Sequence, residues 1–230
     1  MQPAASSSPR SAALLRPPAF PILTLDERKL TPALGYVFNV RWLMPGESLV
    51  SILWKFARAN GLPGHVLAHL MGPDVDPYEG VEPVTGVLDI QRLHRMLGVP
   101  MKPLRGSLMD VSQRGRYTVF RYCRKCMGHH YHSVLYQMEN ERRCPAHRQP
   151  LETVCRHCGR ETPYILNASV LEAPFRCAWC RSRYSYWQGS FLSCKPSMRK
   201  QDRTAISRRC LNRSFACIRS ADPDWSEDQP

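Results

Sequence analysis

The chain has 230 residues, 43% of them hydrophobic and 22% charged, ordinary values for a globular protein long enough to bury a core. No apolar run approaches the roughly 18 residues of a membrane span, so the sequence argues against a transmembrane protein. The 32 Lys and Arg against 19 Asp and Glu give a net charge of +13, which favours a polyanionic partner, nucleic acid first.

Residues 1–35 are rich in Pro, Ser and Ala, with Pro17, Pro18 and Pro21 blocking regular structure. They predict a disordered N-terminal tail, and the apolar stretch from Ala12 to Leu15 is too short for a secretory core. Tyr36 to Leu43 predicts a short strand or lead-in segment. A turn at Pro45 and Gly46 then opens a helix with Leu49, Ile52, Leu53, Phe56 and Ala57 on one face. Glu47 suits its positive end, and Asn60 with Gly61 stops it. A second short helix begins near Pro63, with Val66, Leu67, Leu70 and Met71 inward. After an acidic loop a third runs from about Asp89 to Leu97, burying Ile90, Leu93 and Leu97.

These three helices predict a small unit over 36–100 of helix–turn–helix type. It has no basic recognition helix, because the second helix carries only His65 and His69. Residues 101–117 read as a linker, 118–188 as a cysteine-rich domain, and 189–230 as a basic, flexible tail. Between Lys195 and Arg219 stand eight basic residues and one acid. Lys195, Arg199, Lys200, Arg203, Arg208, Arg209 and Arg213 are its candidate nucleic-acid contacts. The fold class expected is a small α+β chain, a helical unit followed by tandem zinc-ribbon fingers.

Seven of the ten cysteines lie between residues 123 and 180. Cys123 and Cys126 are followed after 17 residues by Cys144 and His147; Cys155 and Cys158 are followed after 18 by Cys177 and Cys180. A CxxC turn brings two ligand atoms together, and two such knuckles complete a tetrahedron around Zn²⁺. Two full sets leave no open position, so both predict structural zinc. His129, His130 and His132 compete on paper with His147, which the knuckle spacing favours; His157 reads as a bystander. Eleven Arg and Lys around the knuckles interleave with Tyr, Phe and Trp, a mixture that suits phosphate contact and base stacking but also fills small cores. No phosphate loop, dinucleotide fingerprint, nucleophile elbow or zinc-protease helix occurs, so the sequence predicts no enzyme.

Two stretches carry a resemblance. Pro45, Gly46, Glu47, Ser48 and Leu49, continued by Ser51 and Leu53 and ending in Ala57, Asn60 and Gly61, resemble the opening motif of the TniQ/TnsD family of transposition proteins. The order Cys123, Cys126, Tyr136, Cys144-Pro145-x-His147, Leu151, Cys155, Cys158 and Gly159 resembles that family's zinc-finger segment. The resemblance spans about residues 36–187. It implies a non-catalytic targeting factor of a bacterial Tn7-like or Tn402-like element, cytoplasmic and associated with the nucleoid. Such a factor links DNA, or a target-recognition complex such as an RNA-guided CRISPR effector, to an AAA+ ATPase of transposition and through it to the transposase. The helical unit is then the expected docking surface, with Trp54, Lys55 and Arg58 as candidate partner contacts. The alternative from the residues alone is a free-standing zinc-ribbon regulator that binds nucleic acid.

Overall fold

The computed structural model describes residues 36–72, 74–110, 115–187, 189 and 198–219. The tail expected over 1–35, Lys195 and the acidic C-terminal end lie outside them.

Helix α1 (Leu49–Asn60) begins where the Ser48 side chain accepts the Ser51 N–H and ends at Gly61, which adopts a left-handed φ of 64°. Every residue from Leu49 to Ala57 is buried, so α1 is a central rod and not a one-sided surface helix. Its polar members are matched inside the core. Lys55 Nζ lies 2.6 Å from Glu47 Oε1 and donates to the Trp42 carbonyl at 2.6 Å. Glu47, expected to serve the helix dipole, also accepts from Ser51 Oγ and from the Met44 N–H. A buried ion pair holds only when its remaining polar atoms are satisfied in this way.

Helix α2 (Gly64–Met71) follows a tight turn, and α3 (Ile90–Leu97) is capped by Asp89, which accepts the Arg92 N–H. The expected linker holds a further helix, α4 (Met101–Gly106), packed on α3 with Leu104 buried. Leu108 and Met109 are buried beyond it, and Met109 bridges to Val84. A six-residue helix with one inward side chain leaves no periodicity to read. Tyr36 to Leu43 forms no strand; it carries a 3-10 turn at Val40–Trp42. The second helix of a helix–turn–helix would face a groove, but α2 lies along α6 (Ala168–Leu171) of the cysteine-rich segment.

That segment also holds α5 (Arg124–Gly128) and a 3-10 turn at Val134–Gln137. Its β structure among the described residues is a set of isolated bridges, such as Tyr122 to Glu152 and Val119 to Pro163. The helical unit and the cysteine-rich segment share one core, which runs from Leu49 to Tyr184. Trp54 is its hinge: its ring is 5.0 Å from Phe175 and 5.7 Å from Phe120, and its Nε1 donates to the Val170 carbonyl at 2.7 Å.

The flexible tail expected after residue 189 contains α7 (Lys200–Arg219). Met198 and Ile206 are buried against Tyr131 and Tyr136, and Arg209 pairs with Glu141. Gly46, at φ 61°, lets α7 approach, because a Cβ there would lie 2.3 Å from Cys210 Sγ. The inward stripe of Met198, Ile206 and Cys210 is thin and sits in a basic run, which hid the helix from a periodicity reading.

Candidate metal centres

Two groups of four ligand atoms converge, Cys123, Cys126, Cys144 and His147 in one, and Cys155, Cys158, Cys177 and Cys180 in the other. In the first, Cys126 Sγ lies 3.6 Å from Cys144 Sγ, and His147 Nδ1 lies 3.5, 3.2 and 3.6 Å from Cys123, Cys126 and Cys144. In the second, Cys155 to Cys180 and Cys158 to Cys177 both measure 3.7 Å. Sulfurs bonded at about 2.3 Å to one tetrahedral ion lie about 3.8 Å apart. Both groups therefore fit a single metal ion with no rearrangement, and the pairing of knuckles is the one that the spacing predicts.

Three of the four knuckles share one backbone design. The N–H groups of Arg148, Gly159 and Arg181 bond back to the carbonyls of Cys144, Cys155 and Cys177 at 2.8, 2.7 and 3.0 Å. Those same three residues take left-handed φ values of 55°, 71° and 60°. A bridge closes each turn: Arg143 to Pro150, Val154 to Glu161, and Arg176 to Arg183. The fourth knuckle, Cys123 to Cys126, lies at the start of α5 instead.

Around the first centre the Tyr136 hydroxyl donates to Cys126 Sγ at 2.9 Å and lies 3.3 Å from Cys144 Sγ. Burial pushes the Cys126 thiol well above its usual pKa, while hydrogen bonds from Cys123 and Cys126 draw Cys144 far down. Crowded sulfurs in a dry pocket cannot all carry charge alone; a divalent cation held by the four ligands would supply the missing compensation. Tyr136 was legible only as an aromatic in the spacer.

The competing histidines have other work. His132 is fully buried, with Nε2 donating to the Arg121 carbonyl at 2.8 Å and Nδ1 accepting from Ser48 Oγ at 2.7 Å. Arg58 Nη1 donates to His130 Nε2 at 2.9 Å. Burial holds both imidazoles neutral, their pKa values drawn down to about 3. The His129 ring lies 6.2 Å from that of His147, and His157 is exposed.

The first centre is joined to the Pro45–Gly61 motif. The Tyr131 hydroxyl donates to the Pro45 carbonyl, the Val134 N–H to the Gly46 carbonyl, and the Ser48 N–H to the His132 carbonyl. Glu47 bridges to Ser133. This joint was not read from the sequence, because its halves lie more than 80 residues apart.

The candidate partner contacts need correction. Trp54 is 1% exposed and Lys55 is equally buried, both consumed by the shared core, and only Arg58 reaches the surface. Trp54 packs against the cysteine-rich segment and offers nothing to a partner. Of the candidate nucleic-acid contacts, Arg199, Lys200 and Arg208 are exposed, Arg203 is half-buried, and Arg209 is engaged by Glu141. The Arg213 side chain lies outside the described residues. Arg121, counted among the cations of the fingers, is turned inward onto the carbonyls of Met138 and Glu141. Among the described residues no helix is long and apolar enough to cross a membrane. No protein-family model matches the chain, and neither does any curated protein.

Proposed function

We propose that both centres hold structural Zn²⁺ and that the chain is a non-catalytic transposition adaptor of the TniQ/TnsD kind. In this reading it couples DNA or a target-recognition complex to an AAA+ transposition ATPase and thus to the transposase. The zinc assignment rests on closed thiolate and imidazole sets at tetrahedral spacing, the donor chemistry Zn²⁺ prefers. One observation carries the adaptor reading. The two separate stretches that resemble the family are hydrogen-bonded to each other, from Pro45 to Ser51 on one side and from Tyr131 to Val134 on the other. The opening motif thus docks on the spacer between Cys126 and Tyr136 of the second stretch, which supports the two being a single inherited unit.

The test is capture of an AAA+ ATPase encoded beside the gene by the full zinc-loaded chain. Saturable capture is expected. Failure with every neighbouring ATPase would favour a free-standing zinc regulator that binds nucleic acid, the reading favoured independently by the exposed Arg199, Lys200 and Arg208 on or beside α7. Elemental analysis should give close to two zinc per chain.

A further inference from the structure

Most aromatic side chains of the cysteine-rich segment have an evident place, and the exposed Trp179 is held by its Nε1 donating to the Glu161 carbonyl at 2.8 Å. Tyr122, Tyr131, Tyr136, Tyr164, Phe175 and Tyr184 are buried and explained by packing. Tyr186 and Trp187 are not: they are 87% and 55% exposed. They stand together where the chain leaves the second centre and crosses back to the first. Trp187 meets the His129 ring edge-on at 5.1 Å, and the Gly189 N–H bonds to the Gly128 carbonyl at 3.0 Å, so the crossing is anchored on α5. The Arg124 guanidinium lies 3.9 Å over one face of Tyr186.

Between these groups lies a cleft of about 580 Å³, lined by Arg124, Lys125, Arg156, Tyr186 and Trp187. The only carboxylate in its lining, Glu152, is gripped by Arg156 through hydrogen bonds of 2.8 and 2.9 Å. The cleft therefore presents net positive charge beside two exposed aromatic rings. A protein partner could also bury Tyr and Trp. The surplus of cations, on a chain of net charge +13, favours a polyanion instead.

We propose that this cleft binds an unpaired nucleic-acid strand. A base stacks on Tyr186 or Trp187, and Arg124, Lys125 and Arg156 take the flanking phosphates. Stacking needs a base with a free face, which the interior of a duplex does not offer. The inference rests on the nucleic-acid side of the proposed function and names the form of nucleic acid.

The experiment measures binding of labelled oligo(dT) and of a duplex of equal length to the full zinc-loaded chain, with ATPase capture followed in parallel. Tyr186→Ala and Trp187→Ala should each weaken oligo(dT) binding about tenfold and duplex binding less than about twofold, with Tyr186→Phe close to the parent. Tyr186 is too exposed for its loss to unfold the chain, and zinc content checks each variant. Lys125→Ala should weaken both ligands and flatten the salt dependence. Oligo(dT) affinity unchanged in both aromatic variants overturns the proposal, as does loss of ATPase capture in their place, which would mark a protein-binding face. Should the parent capture no ATPase yet show aromatic-dependent strand binding, the cleft stands and the adaptor reading falls.

Discussion

Around the first metal centre Cys123, Cys126 and Cys144 are sealed from solvent, roofed by Tyr131, Tyr136 and Ile206 and tied to the start of α1. Around the second, Cys158 and Cys180 remain half-buried at the edge of the molecule. The ligand arithmetic is nearly the same in both. What differs is the setting: the first is a junction of three chain segments within a small core of its own, and the second has Cys155 and Cys177 in the main core with Cys158 and Cys180 at its margin. Ligand spacing tells where an ion can sit, and the surroundings tell what its loss would cost.

The sharpest way to break this comparison is to remove one ligand from each centre. Cys126→Ser should abolish most of the helical signal in far-UV circular dichroism, because an unfilled first centre releases both α1 and α7. Cys180→Ser should lose one zinc yet keep most of that signal. Equal losses would show that the two centres bear the same load.

Next in size is the shared core. Trp54→Ala should cost about 3–5 kcal/mol in urea unfolding, from the cavity and from the stranded Val170 carbonyl. Trp179→Ala, an exposed tryptophan beside the second centre, should stay within about 0.5 kcal/mol.

A third test uses acid. The folded pKa of His132, drawn down by burial to about 3, lies below the unfolded value of about 6.5. Its contribution is therefore complete above pH 6.5 and is lost as pH falls through the window towards 3, by at most about 1.4 kcal/mol per pH unit. His132→Gln should flatten the fall in urea midpoint between pH 7 and 5.5, zinc content being held constant.

The smallest effect lies in the knuckles. Gly159 and Arg148 hold the same left-handed place in different centres, at φ 71° and 55°. Gly159→Ala should cost about 1 kcal/mol, and Arg148→Gly should gain up to about 1 kcal/mol. The same sign for both in thermal melts would show that neighbouring contacts outweigh backbone strain.

Much of this architecture was legible where it is local. The stop of α1 at Gly61, the start of α3 near Asp89 and the choice of His147 over its neighbours all follow from spacing within a few residues. The long-range parts were not. Trp54 and Lys55 looked like surface positions because a period of 3.6 assumes that a helix has one buried face, whereas α1 is buried all round from Leu49 to Ala57. Lys55 in particular is a cation that only Glu47 and the Trp42 carbonyl make tolerable inside. The packing of α6 on α2 and of α7 on the first centre has no local signal at all.

The bond between Ser48 and His132 spans 84 residues of chain. At ribosomal speeds of about 5–20 residues per second, roughly 4 to 17 seconds separate the synthesis of its two ends. During that interval the start of α1 lacks its partner, and the joint that holds it has not been made. Contacts this distant in sequence are slow to close even in a finished chain. Closure of the joint between Ser48 and His132 thus becomes a late event in the making of the chain, and the start of α1 must wait for it.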